Sequence, residues 1–159
     1  FISTLIFTNT SISQSDITLE KLWSQYEYVN KRVPGFKFMN DGKHYTRLEY
    51  NAIKKYDLTT GDFVENILDG SSLDKSTGFN GRIRSYSFSN DENLIMIKSQ
   101  SEQIYRRSSK AYFHVYNRTS KKLTAIFQDD KIMHATLSPD GNQVAYVRDN
   151  NLYLFDLNT

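Results

Sequence analysis

Short apolar and aromatic runs alternate with acidic turns along this chain, and the same unit occurs three times in 159 residues. Each unit has a short strand-like run, a turn containing Asp, a second run, and a third run that ends in an aromatic residue and Asp or Asn. The turn residues Asp41, Asp91 and Asp140 are separated by 50 and 49 residues. A regular period of this length predicts stacked or radially arranged sheets rather than one closed core.

The repeats predict strands whose bounds follow from the turns. They cover 36–38, 45–48 and 53–57 in the first copy, 86–88, 94–97 and 112–117 in the second, and 135–137, 144–147 and 152–156 in the third. A fourth strand follows the first two copies, at 63–68 and 122–127. Four antiparallel strands per unit make the blade of a β-propeller, which usually closes with about 4 to 8 blades. The expected fold class is all-β, a partial propeller of four-stranded antiparallel blades, and the chain is expected to be a fragment of the ring.

Two segments precede the first repeat. Residues 1–15 begin with the apolar run Phe1 to Phe7, which predicts the remnant of a signal peptide, with a short edge strand or an expression artefact as alternatives. From Asp16 to Trp23 the pattern predicts a short helix, capped by Thr18 and with an apolar face. Export without disulfides favours a bacterial periplasm or cell surface.

Composition narrows the functional classes. A net charge of +2, with Lys and Arg spread among Asp and Glu, gives no basic face for nucleic acid. The chain has no Cys, which excludes disulfides and thiolate chemistry, and its three His residues, His44, His114 and His134, have no metal-ligand spacing. No metal and no cofactor is expected.

The second copy carries an insertion, and this is the candidate site. From the turn Asp to the terminal Asp or Asn takes 26 residues in the second copy and 16 in each of the others. The extra residues predict a polar loop over Ser99 to Lys110 that extends the hairpin of the second and third strands and contains Tyr105, Arg106 and Arg107. Because hairpins alternate between the two ends of a blade, this loop should project from the end opposite the Asp turns.

The run Gln103-Ile104-Tyr105-Arg106-Arg107-Ser108, lying between Tyr86 to Met96 and Ala111 to Tyr116, resembles the early propeller of the dipeptidyl peptidase IV family and its bacterial relatives. The resemblance extends from about Ile17 to Leu157. It implies a serine exopeptidase of the prolyl oligopeptidase group that removes dipeptides with Pro or Ala in second position. It also implies an eight-bladed propeller that caps an α/β-hydrolase domain, so that 16–159 is the N-terminal part of that propeller.

The resemblance also implies a role for Arg106. By position this residue matches the family's Arg that points into the cavity and holds a substrate carbonyl, which makes peptide substrate the expected partner. Arg107 takes the role if the register is off by one, and Tyr105 is expected to pack at the base of the loop. The family's Glu-Glu pair and its Ser, Asp and His triad are absent from these residues, so catalytic residues are not expected here and the chain alone should be inactive.

Two alternatives remain open. One is a non-catalytic periplasmic propeller that serves as a scaffold or binding module, which would share the repeat and the turns. The other is a prolyl oligopeptidase relative of different specificity, without the Arg and the Glu pair. A homodimer of the full-length enzyme is also left open, because the family's interface elements lie largely outside this stretch.

Overall fold

The computed structural model describes residues 17–30, 34–73 and 75–158, and it divides the chain into two compact units, 1–33 and 34–159. In the first unit, Glu20–Ser24 forms one turn of π-helix, shorter than the predicted helix over 16–23. The Thr18 hydroxyl accepts a hydrogen bond from the Lys21 amide at 3.3 Å, as expected of a polar residue at a helix start. Leu19 and Trp23 are exposed. The predicted signal-peptide remnant, 1–15, lies outside the described residues.

The second unit is built from antiparallel sheets that match the three repeats. The first sheet has the order β1 (Phe36–Phe38), β2 (His44–Glu49), β3 (Ala52–Asp57) and β4 (Phe63–Asp69). The second has the order β5 (Ile83–Phe88), β6 (Leu94–Tyr105), β7 (Ser108–Asn117) and β8 (Leu123–Ala125). The third has the order β9 (Met133–Leu137), β10 (Gln143–Arg148) and β11 (Asn151–Asp156). These sheets are called the first, second and third blades below, and they confirm the predicted fold class.

Little helix accompanies the sheets. The connection from the first to the second blade contains two short 3-10 helices, Gly70–Ser72 and Lys75–Thr77. The Asp69 carboxylate accepts a hydrogen bond from the Ser71 amide at 2.8 Å and so caps the first of them. Among the described residues, no helix has the length and apolar character needed to cross a membrane.

The acidic turns have the structural role that their sequence predicts. In the second blade the Ser89 hydroxyl donates to Asp91 at 2.5 Å, and in the third Ser138 donates to Asp140 at the same distance. These bonds are the main reason that the pKa of each Asp lies below its ordinary value. In the first blade Asp41 has a pKa of about 2, chiefly because its carboxylate accepts the backbone N–H of Lys43. The Asp residues are therefore turn formers.

Successive turns are also bonded to one another. The Asn40 side-chain amide donates to the backbone carbonyl of Asn90 at 2.7 Å. Asn90, at the same place in the next repeat, donates to the backbone carbonyl of Pro139 at 3.1 Å. This asparagine ladder joins each blade to the next at the end of the sheets where the acidic turns lie.

The second blade is buried on both faces, because its strands lie between two hydrophobic clusters. Along β6, Ile95 and Ile97 belong to the cluster shared with the first blade, whereas Met96 belongs to the cluster shared with the third. Between the first and second blades a buried Thr46 hydroxyl lies 2.7 Å from the Tyr86 hydroxyl. The apolar run 94–97 is explained by this covering of both faces.

Candidate functional site

The ten-residue insertion of the second repeat is an extension of the β6–β7 hairpin. The pairs Glu102 and Lys110, Gln103 and Ser109, and Tyr105 and Ser108 continue the ladder, and Arg106 and Arg107 form the turn. The polar insertion predicted over Ser99 to Lys110 is thus an extended hairpin, as expected, but most of its residues lie in paired strands rather than in an open loop. We call residues 100–110 the finger. Its end of the blade is opposite the acidic turns, as the alternation of hairpins predicted.

The corresponding hairpins of the first and third blades are much shorter. Tyr50 and Asn51 in the first blade, and Asp149 and Asn150 in the third, form two-residue turns. All four have positive φ, between 48° and 75°, which is the signature of a type I′ hairpin turn. The hairpin of the second blade is therefore longer than the corresponding hairpins of the first and third blades, and the finger is its additional part.

A β-bulge marks the start of the finger. The pairing register shifts between Ser99 and Glu102, and Gln100 has a φ of 45°, a conformation uncommon for residues other than Gly. Bulges bend a strand and change the direction of the side chains beyond it. The Gln100 side chain donates to the backbone carbonyl of Asn80 at 2.6 Å, which ties the bulge to the connection between the first and second blades.

An ion-pair network lies directly beyond the bulge, at the first strand pair of the finger. The Glu102 carboxylate accepts a hydrogen bond from the Lys131 ammonium at 2.8 Å and lies 3.9 Å from the ammonium of Lys110. The hydrogen bond from Lys131, followed by the charge of Lys110, lowers the pKa of Glu102 below its ordinary value. Lys131 precedes Ile132, which is fully buried and pairs with buried Ala111 through two backbone hydrogen bonds of 3.0 and 2.9 Å. The cation that contacts Glu102 is therefore attached to a well-packed part of the protein.

The tip presents charged and aromatic side chains to solvent. Arg106 and Arg107 are exposed, and neither makes a hydrogen bond, ion pair or ring contact with any other residue that the structure describes. Tyr105 has 74% of its surface exposed, so the expectation that it packs at the base of the loop is wrong. A guanidinium in this setting has all of its donors available to a ligand.

A cleft of about 410 Å³ lies between the finger and the third blade. It has basic, acidic and apolar walls, formed in part by Tyr105, Lys110, Lys131, His134, Arg148 and Asp149. The Arg148 guanidinium is stacked between two rings, 4.4 Å from the centroid of Phe127 and 4.5 Å from that of Tyr153. These contacts fix Arg148 as a packing element of the third blade, in contrast to the arginines at the tip.

The three histidines lie in three different blades. His44 contacts Asp41 at 2.6 Å, and buried His114 lies 3.3 Å from the backbone carbonyl of Thr77. His134 belongs to β9. In the described part of the chain no three His, Asp or Glu side chains are grouped as metal ligands would be.

The positions of Gln100, Glu102 and Lys131 were missed by sequence reasoning. Lys131 lies 29 residues beyond Glu102, and the two residues meet only because the chain turns into the third blade. The one available signal was an acidic residue within an otherwise polar and basic insertion. That signal does not identify its partner.

Comparisons with known proteins agree with this architecture. Residues 89–159 match the family model described as the dipeptidyl peptidase IV N-terminal region. A crystal structure of Porphyromonas gingivalis dipeptidyl peptidase 4 is similar with a TM-score of 0.73 and 28% identity, over 91% of this chain and 21% of that chain. The sheets and this likeness define a segment of a β-propeller.

Two curated relatives have related names. A protein of Schizosaccharomyces pombe named for dipeptidyl aminopeptidase activity is 30% identical over 156 aligned positions, which cover 91% of this chain and 18% of the relative. Dipeptidyl aminopeptidase B of Saccharomyces cerevisiae is 32% identical over 78 positions, 49% of this chain and 9% of the relative. The chain thus spans about a fifth or less of each of these three proteins. By these matches the chain is similar to the N-terminal propeller region of the dipeptidyl peptidase IV family.

Proposed function

We propose that this chain is the substrate-positioning part of a serine dipeptidyl peptidase that removes N-terminal dipeptides with Pro or Ala in second position. In this proposal the propeller caps an α/β-hydrolase domain of the same protein, which supplies the Ser, Asp and His residues. Arg106 contacts the substrate, and no residue of the chain transfers a proton. The match of residues 89–159 to the family model and the exposed arginine at the end of the finger support this role.

The chemistry of Arg106 suits positioning. A guanidinium keeps its positive charge and holds its N–H donors in a fixed plane, so it can orient a peptide carbonyl through two directed hydrogen bonds. Correct orientation lowers the barrier by presenting the scissile bond in a reactive geometry. The single observation that carries the proposal is the placement of this cation at the tip of a hairpin extension found in one repeat of three.

Export is part of the same proposal. The apolar start of the sequence and the absence of Cys support a protein of the bacterial periplasm or cell surface. Neither feature bears on which substrates the protein would cleave.

The test is the substitution Arg106→Ala in the parent protein, with cleavage of a chromogenic Gly-Pro or Ala-Pro dipeptide substrate as the measurement. Hydrogen bonds to a charged group contribute about 1.5–3 kcal/mol, so kcat/KM should fall by about 10- to 100-fold. The thermal unfolding midpoint should stay unchanged, because the Arg106 side chain is exposed and makes no hydrogen bond or ion pair with any described residue.

Arg107→Ala is the matched control at the neighbouring position. A loss of activity in Arg107→Ala alone would move the role by one residue. Unchanged kinetics in both variants would show that neither arginine of the finger contacts the substrate. A parent protein without a Gly-x-Ser-x-Gly motif would favour the scaffold or binding module.

A further inference from the structure

We infer that two anchors at the base of the finger, Gln100 and Glu102, set the direction in which Arg106 projects. The inference rests on the function proposed above, because the direction has a catalytic consequence only if Arg106 contacts substrate. Both residues act through Arg106 and are positioning residues. Their predicted effect on the finger itself can be measured without any substrate.

The finger needs such anchors because of its length. Residues 100–107 are exposed, and a two-stranded ribbon without a covering layer has little stability of its own. Arg106 is the sixth residue after Gln100, which places the tip about 20 Å beyond the bulge at the usual rise of a strand. A tilt of about 10° at the bulge would therefore move the tip by about 3 Å, whereas misplacement by about 1 Å can cost about 100-fold in rate.

The two anchors connect to different neighbours. Gln100 donates to the carbonyl of Asn80, which follows Phe79 of the cluster between the first and second blades. Glu102 accepts from Lys131, which precedes Ile132 of the cluster between the second and third blades. The anchors thus bind the base of the finger to the connections on both faces of the second blade. A tilt toward either neighbour stretches one of the two bonds.

The geometry of Glu102 also favours a fixed finger. Its carboxylate contacts Lys131 outside the finger and Lys110 on the opposite strand of the finger. An isolated exposed ion pair contributes little, but one carboxylate shared by two cations restricts both strands at once. The first blade offers a matched control pair, Lys55 and Glu65, with a separation of 3.7 Å and the same 52% exposure of the Glu side chain.

The experiment measures distances between two spin labels in the parent protein. Labels are attached at Arg107→Cys on the finger and Asp62→Cys on the first blade, in a background without other exposed cysteines. The label-bearing proteins carry Gln100→Ala, Glu102→Gln or Lys131→Met, and Glu65→Gln is the control. Steady-state kinetics are measured on the same substitutions without labels.

We expect Gln100→Ala, Glu102→Gln and Lys131→Met to broaden the distance distribution, and Glu65→Gln to leave it narrow. The combination of Glu102→Gln with Lys131→Met should be no broader than Glu102→Gln alone, because Glu102→Gln already removes the bond that Lys131→Met removes. Each of these three single changes should lower kcat/KM by about 10-fold, mainly through kcat, whereas Arg106→Ala should lower activity with a narrow distribution.

Narrow distributions in both Gln100→Ala and Glu102→Gln would overturn the inference, whatever the kinetics. Broad distributions with unchanged kinetics, together with an inert Arg106→Ala, would support the anchors and overturn the proposed function. Broad distributions with unchanged kinetics but an impaired Arg106→Ala would show that direction has no catalytic consequence, which also overturns the inference.

Discussion

The two halves of the β6–β7 hairpin share a ladder but differ in what surrounds them. From Leu94 to Ser99 the side chains of β6 are largely buried, with Ile95 and Ile97 on one face and Met96 on the other. From Gln100 onward the same strand is exposed. The inner half is held by neighbouring blades, and the finger is held by cross-strand and ionic contacts at its base.

A stable propeller blade can therefore carry an extended hairpin whose exposed side chains are free of packing constraints. Apolar burial contributes about 25 cal/mol per Å² and therefore concentrates stability in the inner half. Residues at the tip then vary at little cost to folding. The predictions below test this separation, beginning with the largest expected change.

Ile97→Ala should lower the free energy of unfolding by about 2–5 kcal/mol, because it leaves a cavity at a fully buried position. The matched change in the finger, Ile104→Ala, should cost less than about 1 kcal/mol, because Ile104 is partly exposed. Urea unfolding of the parent protein, followed by tryptophan fluorescence, checks both. Similar losses in the two variants would contradict the separation.

Ser99 lies at the boundary between the halves, and Ser99→Ala should raise the free energy of unfolding by about 1 kcal/mol. Its side chain is fully buried, and its hydroxyl has no hydrogen-bond partner among the described residues. Removing an unpaired polar group stabilises a protein when the volume change is small. Thermal denaturation checks the sign, with exposed Ser101→Ala as the neutral control. A lower midpoint in Ser99→Ala would show that the hydroxyl has a structural role.

Shortening the finger should change stability by less than about 0.5 kcal/mol. Replacing residues 101–110 with Asn-Gly keeps the pairing of Ser99 with Tyr112 and gives the second blade a two-residue turn like those of the first and third blades. Circular dichroism melts check the fold, and the shortened protein should lose the activity that depends on Arg106. A cooperative loss of structure would mean that the finger supports the blade.

The smallest expected change is the response of the finger to acid. Because the pKa of Glu102 is lower in the folded protein than its ordinary value of 4.5, its contribution is complete above that value and is lost as pH falls through the folded pKa. The distance distribution between the labels described above should therefore broaden below about pH 4.5. In Glu102→Gln it should be broad at every pH. A narrow distribution in acid would contradict the role of the ionised carboxylate.

Most strands were predictable because the turns fix them. Asp with Ser or Gly, at a period near 50, marks the first hairpin of each repeat, and apolar runs between turns have room for one strand each. Several strands begin or end a few residues away from their predicted bounds. The fourth strand of the second copy, predicted over 122–127, is shorter and covers only Leu123–Ala125.

The finger was predictable as an extension of the second hairpin, but the strand pairing within it was not, because its sequence lacks alternation. Ser99 to Gln103 is polar at every position, and the usual strand signal comes from burial of one face. The strands persist through backbone pairing and contacts such as Lys98 with Ser109 at 2.8 Å. The exposure of Tyr105 was missed for the same reason, since the sequence does not state how far the hairpin extends past its neighbours.

The position of Arg106 was predictable from its place in the insertion and the family pattern, whereas its support was not. A positive φ at Gln100 gives no sequence signal, because Gly and Asn are the usual markers of that conformation. The pairing of Glu102 with Lys131 depends on how the chain enters the third blade. Side-chain partners separated by a blade boundary follow from the three-dimensional fold alone.

The asparagine ladder has a consequence for how such arrays change over evolution. In each rung the donor is a side chain, whereas the acceptor is a main-chain carbonyl that any residue provides, including Pro139. The information for one rung is therefore carried by a single residue of the earlier repeat. A duplicated unit with this Asn could join almost any successor without a compensating substitution, which allows copies to diverge while their stacking is kept.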